Sequence, residues 1–257
     1  MIAPDGSGLT QVTQGAEEKH HPAVSPDGTG IAYVNNSGQI LIQKDDTSEK
    51  ISDLPLNANY PCWTPDGRKI AFMAFTFRGN QENSNLWIAN LAKNRTHLLL
   101  KQAGILKNPV FHPSGTMLVY SLAYRGKFNE LIEDIWRVNS DGKYPQRLIY
   151  NGVRNVQPDI SPNGKWLVFA SDRTGNMEIW TARLDGSRQR QLTRHRAYDA
   201  QPAWSPDGGK IAFVSSRSGQ LEIWIMDRNG GNLNQMTKFD VTIDSKDPDW
   251  TEFIFSK

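Results

Sequence analysis

Histidine and acidic side chains in two distant segments are the residues of this sequence best suited to bind a metal. His20 and His21 are adjacent near the start, whereas His195 comes shortly before Asp199 much later in the chain. Imidazole and carboxylate groups can hold a divalent cation, and a basic residue such as Arg196 beside that cation would make a lyase site. Their spacing matches no local ligand motif, so a metal-dependent lyase is kept only as an alternative. We assign no catalytic residue, no metal ligand and no cofactor.

The other common catalytic motifs are missing from the sequence. There is no G-x-S-x-G nucleophile elbow, no H-E-x-x-H zinc motif, and Cys62 is the sole cysteine. An α/β-hydrolase nucleophile and a cysteine-bound zinc both require such patterns. A single cysteine also rules out an internal disulfide. We therefore favour a non-catalytic protein.

A tetrapeptide that recurs along the chain shows which elements must position these side chains. Ser or Thr followed by Pro, Asp and Gly favours a tight turn, because Pro presets the second position and Gly tolerates positive φ. Each copy follows a short segment that begins with Pro and precedes an apolar, β-prone segment such as 211–214. The copies are SPDG at 25–28, TPDG at 64–67, HPSG at 112–115, SPNG at 161–164 and SPDG at 205–208.

Two further strands complete the repeat. A third strand carries a recurring tryptophan, such as Trp180, and a weaker fourth strand such as 190–193 follows a second turn. The whole unit recurs with a period of roughly 40 to 49 residues. Four strands at this period predict an all-β propeller of four-stranded antiparallel blades. Aromatic columns are predicted to form the core between blades. They comprise Tyr33, Phe72, Tyr120, Phe169 and Phe213 in second strands and Trp87, Trp136, Trp180 and Trp224 in third strands.

The two ends of the chain predict how the propeller closes. Residues 1–13 align without a gap on 225–237, and 247–250 has the pattern of a first strand. We therefore predict a six-bladed propeller in which the N- and C-terminal strands share the last blade. This sixth blade could be incomplete, because no PDG turn follows Trp250. Residues 1–257 are expected to form one domain, with blades at about 20–57, 58–104, 105–154, 155–198 and 199–240 and a composite blade of 241–257 with 1–14.

Composition favours a globular protein with no strong preference for nucleic acid or membrane. The 257 residues carry a formal net charge of +2. No apolar run approaches the ~18 residues of a transmembrane helix. We expect a monomer, without a nucleic acid partner and without membrane insertion.

The blade meander places short turns at one end of each blade and the longer loops and blade connections at the other. Variable loops on a rigid scaffold often bind, so we predict a contact surface for a protein or peptide around the channel mouth at the loop end. A solvated face without a partner, and a sugar or small-molecule site using Tyr60 and Gln201, are the alternatives. The predicted mouth residues are His21, Tyr60, Asn108, Gln157, Gln201, Asp247, His20, Arg154, His195 and Arg196.

An arginine recurs in the second-to-third loops. Because repeated positions of repeat proteins usually serve the repeat, we favour a structural role in which each arginine bonds loop carbonyls or a neighbouring aspartate. A ring of cations that grips an acidic partner is the alternative. These loop-face residues are Arg78, Arg125, Arg173 and Arg217.

The repeat itself resembles that of a known family. The segments QPAWSPDGGKIAFVSSRSGQLEIWIMDRNGGNLNQMT and QPDISPNGKWLVFASDRTGNMEIWTARLDGSRQRQLT are similar to the repeat of the TolB C-terminal propeller, and the resemblance covers nearly the whole chain. It implies a periplasmic scaffold that contacts other envelope proteins, including a peptidoglycan-associated lipoprotein. Without a removed signal peptide, the expected compartment is the cytoplasm.

The sequence also departs from TolB, because no α/β domain precedes the blades. We expect the natural protein to be longer at its N-terminus. Similar repeats occur in propellers attached to peptidases and in pectate-fragment lyases, and a shared fold does not establish a shared function. A carbohydrate- or small-molecule-binding propeller and a metal-dependent oligouronate lyase are therefore the alternatives to the scaffold.

Overall fold

All regular elements of the described chain are β-strands. They form five four-stranded antiparallel sheets in which the strands pair in chain order, so each sheet is a simple meander. The prediction of an all-β protein built from four-stranded antiparallel units is confirmed. The computed structural model describes residues 7, 12, 13, 18–45, 47–55, 57–78, 81–151 and 154–238, except for the side chains of 77, 78, 81 and 82.

One compact unit, Ala16–Val156, contains the first three sheets. Sheet 1 consists of β1 (Lys19–Val24), β2 (Ile31–Asn35), β3 (Ile40–Lys44) and β4 (Thr47–Lys50). Sheet 2 consists of β5 (Ala58–Trp63), β6 (Lys69–Arg78), β7 (Gln81–Asn90) and β8 (Arg95–Lys101). Sheet 3 consists of β9 (Ile105–Phe111), β10 (Met117–Arg125), β11 (Leu131–Asn139) and β12 (Gln146–Ile149).

A second compact unit, Met1–Gly15 with Gln157–Lys257, contains the other two sheets. The first two residues of β13 belong to the preceding unit. Sheet 4 consists of β13 (Asn155–Ile160), β14 (Trp166–Ser171), β15 (Glu178–Arg183) and β16 (Arg190–Gln191). Sheet 5 consists of β17 (Asp199–Trp204), β18 (Lys210–Ser215), β19 (Glu222–Asp227) and β20 (Asn234–Gln235).

The prediction of six blades is wrong, because five sheets are found in the part of the chain that the structure describes. The composite sixth blade, 241–257 with 1–14, falls outside the described residues except at positions 7, 12 and 13. Each of the five sheets joins its first two strands through a turn tetrapeptide, and no such tetrapeptide follows Trp250. The alignment of the two ends therefore predicted a sixth blade although the sequence has only five such turn tetrapeptides.

The repeated tetrapeptides form the tight turns between first and second strands. In the first copy the Ser25 hydroxyl donates to Asp27 Oδ1 (2.6 Å) and accepts from the Gly30 N–H (2.8 Å). The Gly28 N–H closes the same turn on the Ser25 carbonyl (2.8 Å). His112 replaces the hydroxyl residue in the third copy and still accepts a hydrogen bond at Nδ1, from the backbone N–H two residues on (3.1 Å). These local bonds explain why the tetrapeptide recurs.

In three of the turns the glycine has positive φ and lies beside the proline of the preceding turn. Gly67 has φ +67°, and a Cβ there would lie 3.9 Å from Pro26 Cδ in the preceding turn. Gly208 has φ +66°, and the corresponding distance to Pro162 Cδ is 3.5 Å. Within each unit, the proline of one turn therefore packs beside the glycine of the next. We call this end of a sheet its turn end, and the end with the second-to-third loops its loop end.

A pH prediction follows from the first turn. Hydrogen bonds from the Ser25 hydroxyl and from Thr29 lower the pKa of Asp27 to about 2. Because the pKa is depressed in the folded state, the stability it contributes is present above the ordinary aspartate value and is lost as the pH falls toward 2. Ser25→Ala should move the Asp27 pKa back toward the ordinary value, measured by NMR titration of the carboxyl carbon. An unchanged titration curve would show that Ser25 does not control this carboxylate.

The core lies between the faces of neighbouring sheets. Within the first unit, one apolar cluster joins sheets 1 and 2 around Trp63 and Phe72, and another joins sheets 2 and 3 around Tyr120. The second-strand aromatic column is buried throughout, at Tyr33, Phe72, Tyr120, Phe169 and Phe213. The third-strand column, Trp87, Trp136, Trp180 and Trp224, is only half-buried. The second-strand rings are thus core residues, whereas each third-strand indole also borders solvent.

Candidate functional site

The residue before each repeated proline has an unusual backbone conformation. All five such residues have positive φ: His21 (51°), Tyr60 (50°), Asn108 (49°), Gln157 (54°) and Gln201 (53°). A left-handed conformation costs a residue with a Cβ about 1–2 kcal/mol. We call these five residues the pre-proline row. They are five of the predicted mouth residues, and each one lies in a first strand.

A β-bulge explains this conformation. The pairing of first with second strand shifts register between His20 and Ala23 in sheet 1 and between Ala200 and Ala203 in sheet 5. Proline has no N–H to donate to the ladder, so it is tolerated within a sheet only at an edge or at a bulge. The bulge re-aims the side chain that precedes the proline. The repeat therefore fixes the direction of each pre-proline side chain, and the residue type at that position sets the chemistry.

In the first unit, the pre-proline row brings two aromatic rings together. The centroids of the His21 and Tyr60 rings are 4.0 Å apart, with 45° between the ring planes. Both side chains are half-buried. Asn108, the third member in this unit, is also half-buried. The His21–Tyr60 contact joins the row across sheets 1 and 2.

A cavity of about 450 Å³ adjoins this pair at the loop end of sheets 1 and 2. Its polar lining is almost entirely imidazole and amide, and we call it the histidine–asparagine cavity. Phe75 and Ala58 supply apolar surface. The polar side chains that line it are His20, His21, Asn35, Asn36, Asn57 and Asn59. Two predicted mouth residues, His20 and His21, therefore line an accessible cavity, and Tyr60 adjoins it through its contact with His21.

In the second unit, the pre-proline row is linked by a hydrogen bond. The backbone N–H of Gln201 donates to Oε1 of Gln157 at 3.0 Å. Both side chains are half-buried. Each of the two units thus contains a direct contact between pre-proline residues of neighbouring sheets.

Arg154 is one of two cations around a buried carboxylate. Its Nε lies 2.6 Å from Glu133 Oε2, and Lys107 Nζ lies 2.8 Å from Glu133 Oε1. Burial of Glu133 opposes its ionisation, but the hydrogen bonds from Lys107 and Arg154 outweigh this effect and hold its pKa below the ordinary value. The two cations clamp one carboxylate, which favours a structural role for Arg154.

The remaining predicted mouth residues are either exposed or outside the described residues. His195 and Arg196 are exposed on the connection between sheets 4 and 5, where His195 Nδ1 accepts the Ala197 N–H at 3.0 Å. Asp247 lies outside the described residues. Among the residues that are described, no group of three His, Cys, Asp or Glu side chains is arranged to hold a metal ion. The same part of the chain has no helix long and apolar enough to cross a membrane.

Two of the loop-face arginines stack on the third-strand tryptophans. The Arg173 guanidinium lies 4.5 Å above the Trp180 ring, and that of Arg217 lies 5.1 Å above the Trp224 ring. Arg217 also pairs with the buried Asp199 at 2.5 Å. These contacts favour the structural role over a ring of cations.

The other two loop-face arginines make fewer described contacts. Arg125 donates from Nη1 to the carbonyl of Asn129, within its own loop, at 3.0 Å. The side chain of Arg78 lies outside the described part of the structure. Neither residue supplies evidence for an acidic partner.

The third strands contain a recurring buried acid that was not predicted from the sequence. Asp134, Glu178 and Glu222 each precede the Ile-Trp pair of a third strand, and all three are buried. Glu178 accepts the Thr193 hydroxyl (2.6 Å) and the His195 N–H (2.7 Å), and Glu222 accepts the Thr237 hydroxyl. The recurrence of an acid immediately before Ile-Trp was the available signal. These acids tie the fourth strand to the third and help to position the loop end.

Comparison with known proteins agrees with this architecture. The model of the TolB beta propeller domain family matches residues 1–172 and 155–252, which is most of the chain. The chain therefore belongs to the TolB β-propeller family, and the predicted resemblance is confirmed. From here we call each four-stranded sheet a blade.

Individual relatives show both the likeness and its extent. A TolB homologue from Chlorobium luteolum is 28% identical over 116 residues, which are 45% of this chain and 24% of that protein. The solved structure of a TolB-like protein from Agrobacterium tumefaciens is 27% identical, with a TM-score of 0.78 over 88% of this chain and 83% of that one. An oligogalacturonate lyase in complex with manganese has a TM-score of 0.67 at 15% identity, over 91% of this chain and 68% of that one. At that identity the lyase shares only the fold.

The chain spans about a quarter of the length of the curated relatives that it matches. The activity and partners of those whole proteins therefore do not transfer directly to this chain. The fold is common to scaffolds and enzymes. The function has to be argued from the residues at the loop end.

Proposed function

We propose that this chain is a non-catalytic TolB-like propeller that acts as a protein-interaction module. The observation that carries the proposal is the histidine–asparagine cavity beside the His21–Tyr60 ring pair. The fold imposes the backbone at this place through a repeated bulge, while the side chains differ from blade to blade. A rigid frame with variable side chains is the arrangement that many binding surfaces use.

The chemistry of the cavity suits a peptide segment. Asparagine amides both donate and accept, so Asn35, Asn57 and Asn59 can bond the N–H and C=O groups of a bound backbone. Imidazole and phenol rings add flat surface with a polar edge, which interfaces favour. The asparagine amides carry no formal charge. The occupant that fits best is therefore an extended, largely uncharged stretch of protein.

The family relationship supports a particular partner class. Similarity to TolB homologues favours an envelope lipoprotein as partner and the periplasm as compartment. We propose both for this chain, together with a monomeric state. A sugar-binding propeller and a metal-dependent oligouronate lyase are the alternatives, since the lyase shares the fold and His20 and His21 line the cavity.

The test is direct binding of the peptidoglycan-associated lipoprotein encoded by the same organism, measured by calorimetry. His20 and Asn36 are exposed, so replacing them should leave the fold intact. His20→Ala with Asn36→Ala should weaken binding at least tenfold, or about 1.4 kcal/mol. Lys93→Ala, an exposed change in the β7–β8 turn, is the matched control and should bind like the unaltered protein.

Several results would contradict the proposed function. Absence of binding by the unaltered protein, or equal loss in the Lys93 control, would overturn the proposed partner and site. Cleavage of uronate oligomers in the presence of manganese, abolished by His20→Ala, would replace the scaffold with the lyase. Saturable binding of a neutral oligosaccharide in the same cavity would replace it with the sugar-binding alternative.

A further inference from the structure

A second cavity lies at the turn end of blades 4 and 5, whereas the histidine–asparagine cavity lies at the loop end of blades 1 and 2. Its volume is about 430 Å³. We call it the arginine–tryptophan cavity after the residues that define it. They are Trp166, Arg188, Arg190, Trp204, Arg228 and Asn229. No acidic side chain is among its described lining residues.

The cavity carries an uncompensated positive charge. Among the described residues, no carboxylate pairs with Arg188, Arg190 or Arg228. Arg190 instead donates to the Asn229 carbonyl at 3.2 Å. Guanidinium groups that converge without a carboxylate favour an anion, which each of them can bind through two parallel hydrogen bonds.

The nearby acids of the same turns already have partners. Asp227 accepts from Lys210 at 3.1 Å and from Asn232 at 2.7 Å. Asp185 accepts the backbone N–H of Ser187 at 2.9 Å. Neither Asp227 nor Asp185 is therefore bonded to an arginine of the cavity.

The buried indole N–H of Trp204 lacks an acceptor among the described residues, as do those of the third-strand tryptophans. In blade 2, Trp63 occupies the same repeat position, and its Nε1–H donates to the Ala23 carbonyl of the preceding blade at 2.9 Å. Trp204 is 8% exposed, yet its Nε1–H has no hydrogen-bond partner in the described residues. A buried donor without an acceptor is unfavourable, and an acceptor on a ligand in the cavity would relieve it.

The tryptophans also define the shape of the occupant. Trp166 is half-buried, and the Arg183 guanidinium lies 5.7 Å above its ring. Trp166 and Trp204 give the cavity apolar, aromatic walls beside its cationic rim. Aromatic walls favour a flat ring, while the rim favours an oxyanion.

We propose that the arginine–tryptophan cavity binds an organic anion consisting of an aromatic ring that bears a phosphate or carboxylate. The three arginines hold the oxyanion, the ring lies against Trp166 and Trp204, and a ligand oxygen or nitrogen accepts the Trp204 N–H. This site is independent of the proposed protein contact, because it uses the turn end and different residues.

Calorimetry with four probes tests the proposal and separates the two kinds of anion. Adenosine 5′-phosphate is an aromatic phosphate, indole-3-acetate is an aromatic carboxylate, adenosine is a ring without the anion, and inorganic phosphate is an anion without the ring. At least one aromatic anion should bind, and it should bind at least tenfold more tightly than adenosine and inorganic phosphate. The tighter of the two aromatic anions identifies the oxyanion.

Matched variants assign the binding to this cavity. Arg188 and Arg228 are exposed, so Arg188→Gln with Arg228→Gln should fold normally and weaken the tighter anion at least tenfold. Arg95→Gln removes an exposed arginine of blade 2 and should have no effect. Trp204→Phe retains the ring but removes the N–H, and should weaken binding several-fold. The proposal is overturned if neither aromatic anion binds, if adenosine binds equally well, or if the double variant binds like Arg95→Gln.

Discussion

Replacing Arg217 by methionine is expected to lower the free energy of unfolding by about 3–5 kcal/mol. The side chain of Asp199 is fully buried, and Arg217 is its ion-pair partner at 2.5 Å. Removal of the cation would leave an uncompensated carboxylate in the interior, which costs more than the ion pair contributes. The same substitution also removes the cation above Trp224 and the hydrogen bond to Ser215. Chemical denaturation monitored by tryptophan fluorescence measures the loss.

The pH dependence of this loss has a definite sign. Burial raises the pKa of Asp199, the Ser215 hydroxyl and the charge of Arg217 oppose the rise, and the charge of Glu178 adds to it. A carboxyl whose folded pKa is raised destabilises the fold as the pH increases through that pKa. Without Arg217 the pKa rises further. The deficit of the methionine variant should therefore be larger at about pH 8 than at about pH 5.

A double-mutant cycle separates the charge from the packing. Asp199→Asn with Arg217→Met removes both charges, so the double variant should lose much less stability than Arg217→Met alone. An equal loss in the single and double variants would show that the buried charge is not the cause. A loss below about 1 kcal/mol in the single variant would contradict the structural role assigned to Arg217.

Replacing Trp180 by alanine is expected to cost about 3 kcal/mol. Trp180 lies opposite Phe169 on the neighbouring strand, and Arg173 covers its ring at 4.5 Å. Truncation would expose Phe169, which is fully buried, and would leave the Arg173 guanidinium without its stacking partner. The loss is placed at the lower end of the range for buried tryptophans because Trp180 is half-buried.

Trp180→Phe is the matched control for that change. The indole N–H of Trp180 has no hydrogen-bond partner in the described part of the chain, so removing it should cost nothing in hydrogen bonding. Phenylalanine keeps an aromatic face for Arg173, and the expected loss is below about 1.5 kcal/mol. Equal losses for the two variants, or a loss below about 1 kcal/mol for alanine, would show that this ring does not hold the blade together.

Local sequence signals were sufficient for the strands and turns. The tetrapeptide between first and second strands works through bonds spanning a few residues, such as Ser25 to Asp27 and Gly30. The aromatic column of the second strands then placed Phe169 and Phe213 in the core. The number of blades could not be read in the same way. Aligning 1–13 with 225–237 compares strands without the turn that a complete blade needs, and the sixth blade was the resulting error.

The backbone of the pre-proline row shows where local rules fail. A residue before proline normally adopts an extended conformation. His21, Tyr60 and Gln201 instead have φ near +50°. The bulge in the first strand overrides the local preference, because the missing proline N–H has to be accommodated within a paired sheet. Sequence reasoning selected these residues for their position in the repeat and could not anticipate their geometry.

The sequence by itself determined the repeat, its four strands and the family, because each of these depends on residues close together in the chain. Only the tertiary structure decided which buried carboxylates are paired, such as Asp199 with Arg217 and Glu133 with its two cations, and that Arg188 and Arg228 have no carboxylate partner among the described residues. It likewise decided where cavities open between blades. Charges and cavities of this kind depend on side chains that come together only when separate strands pack, and a one-dimensional pattern carries no distance between them.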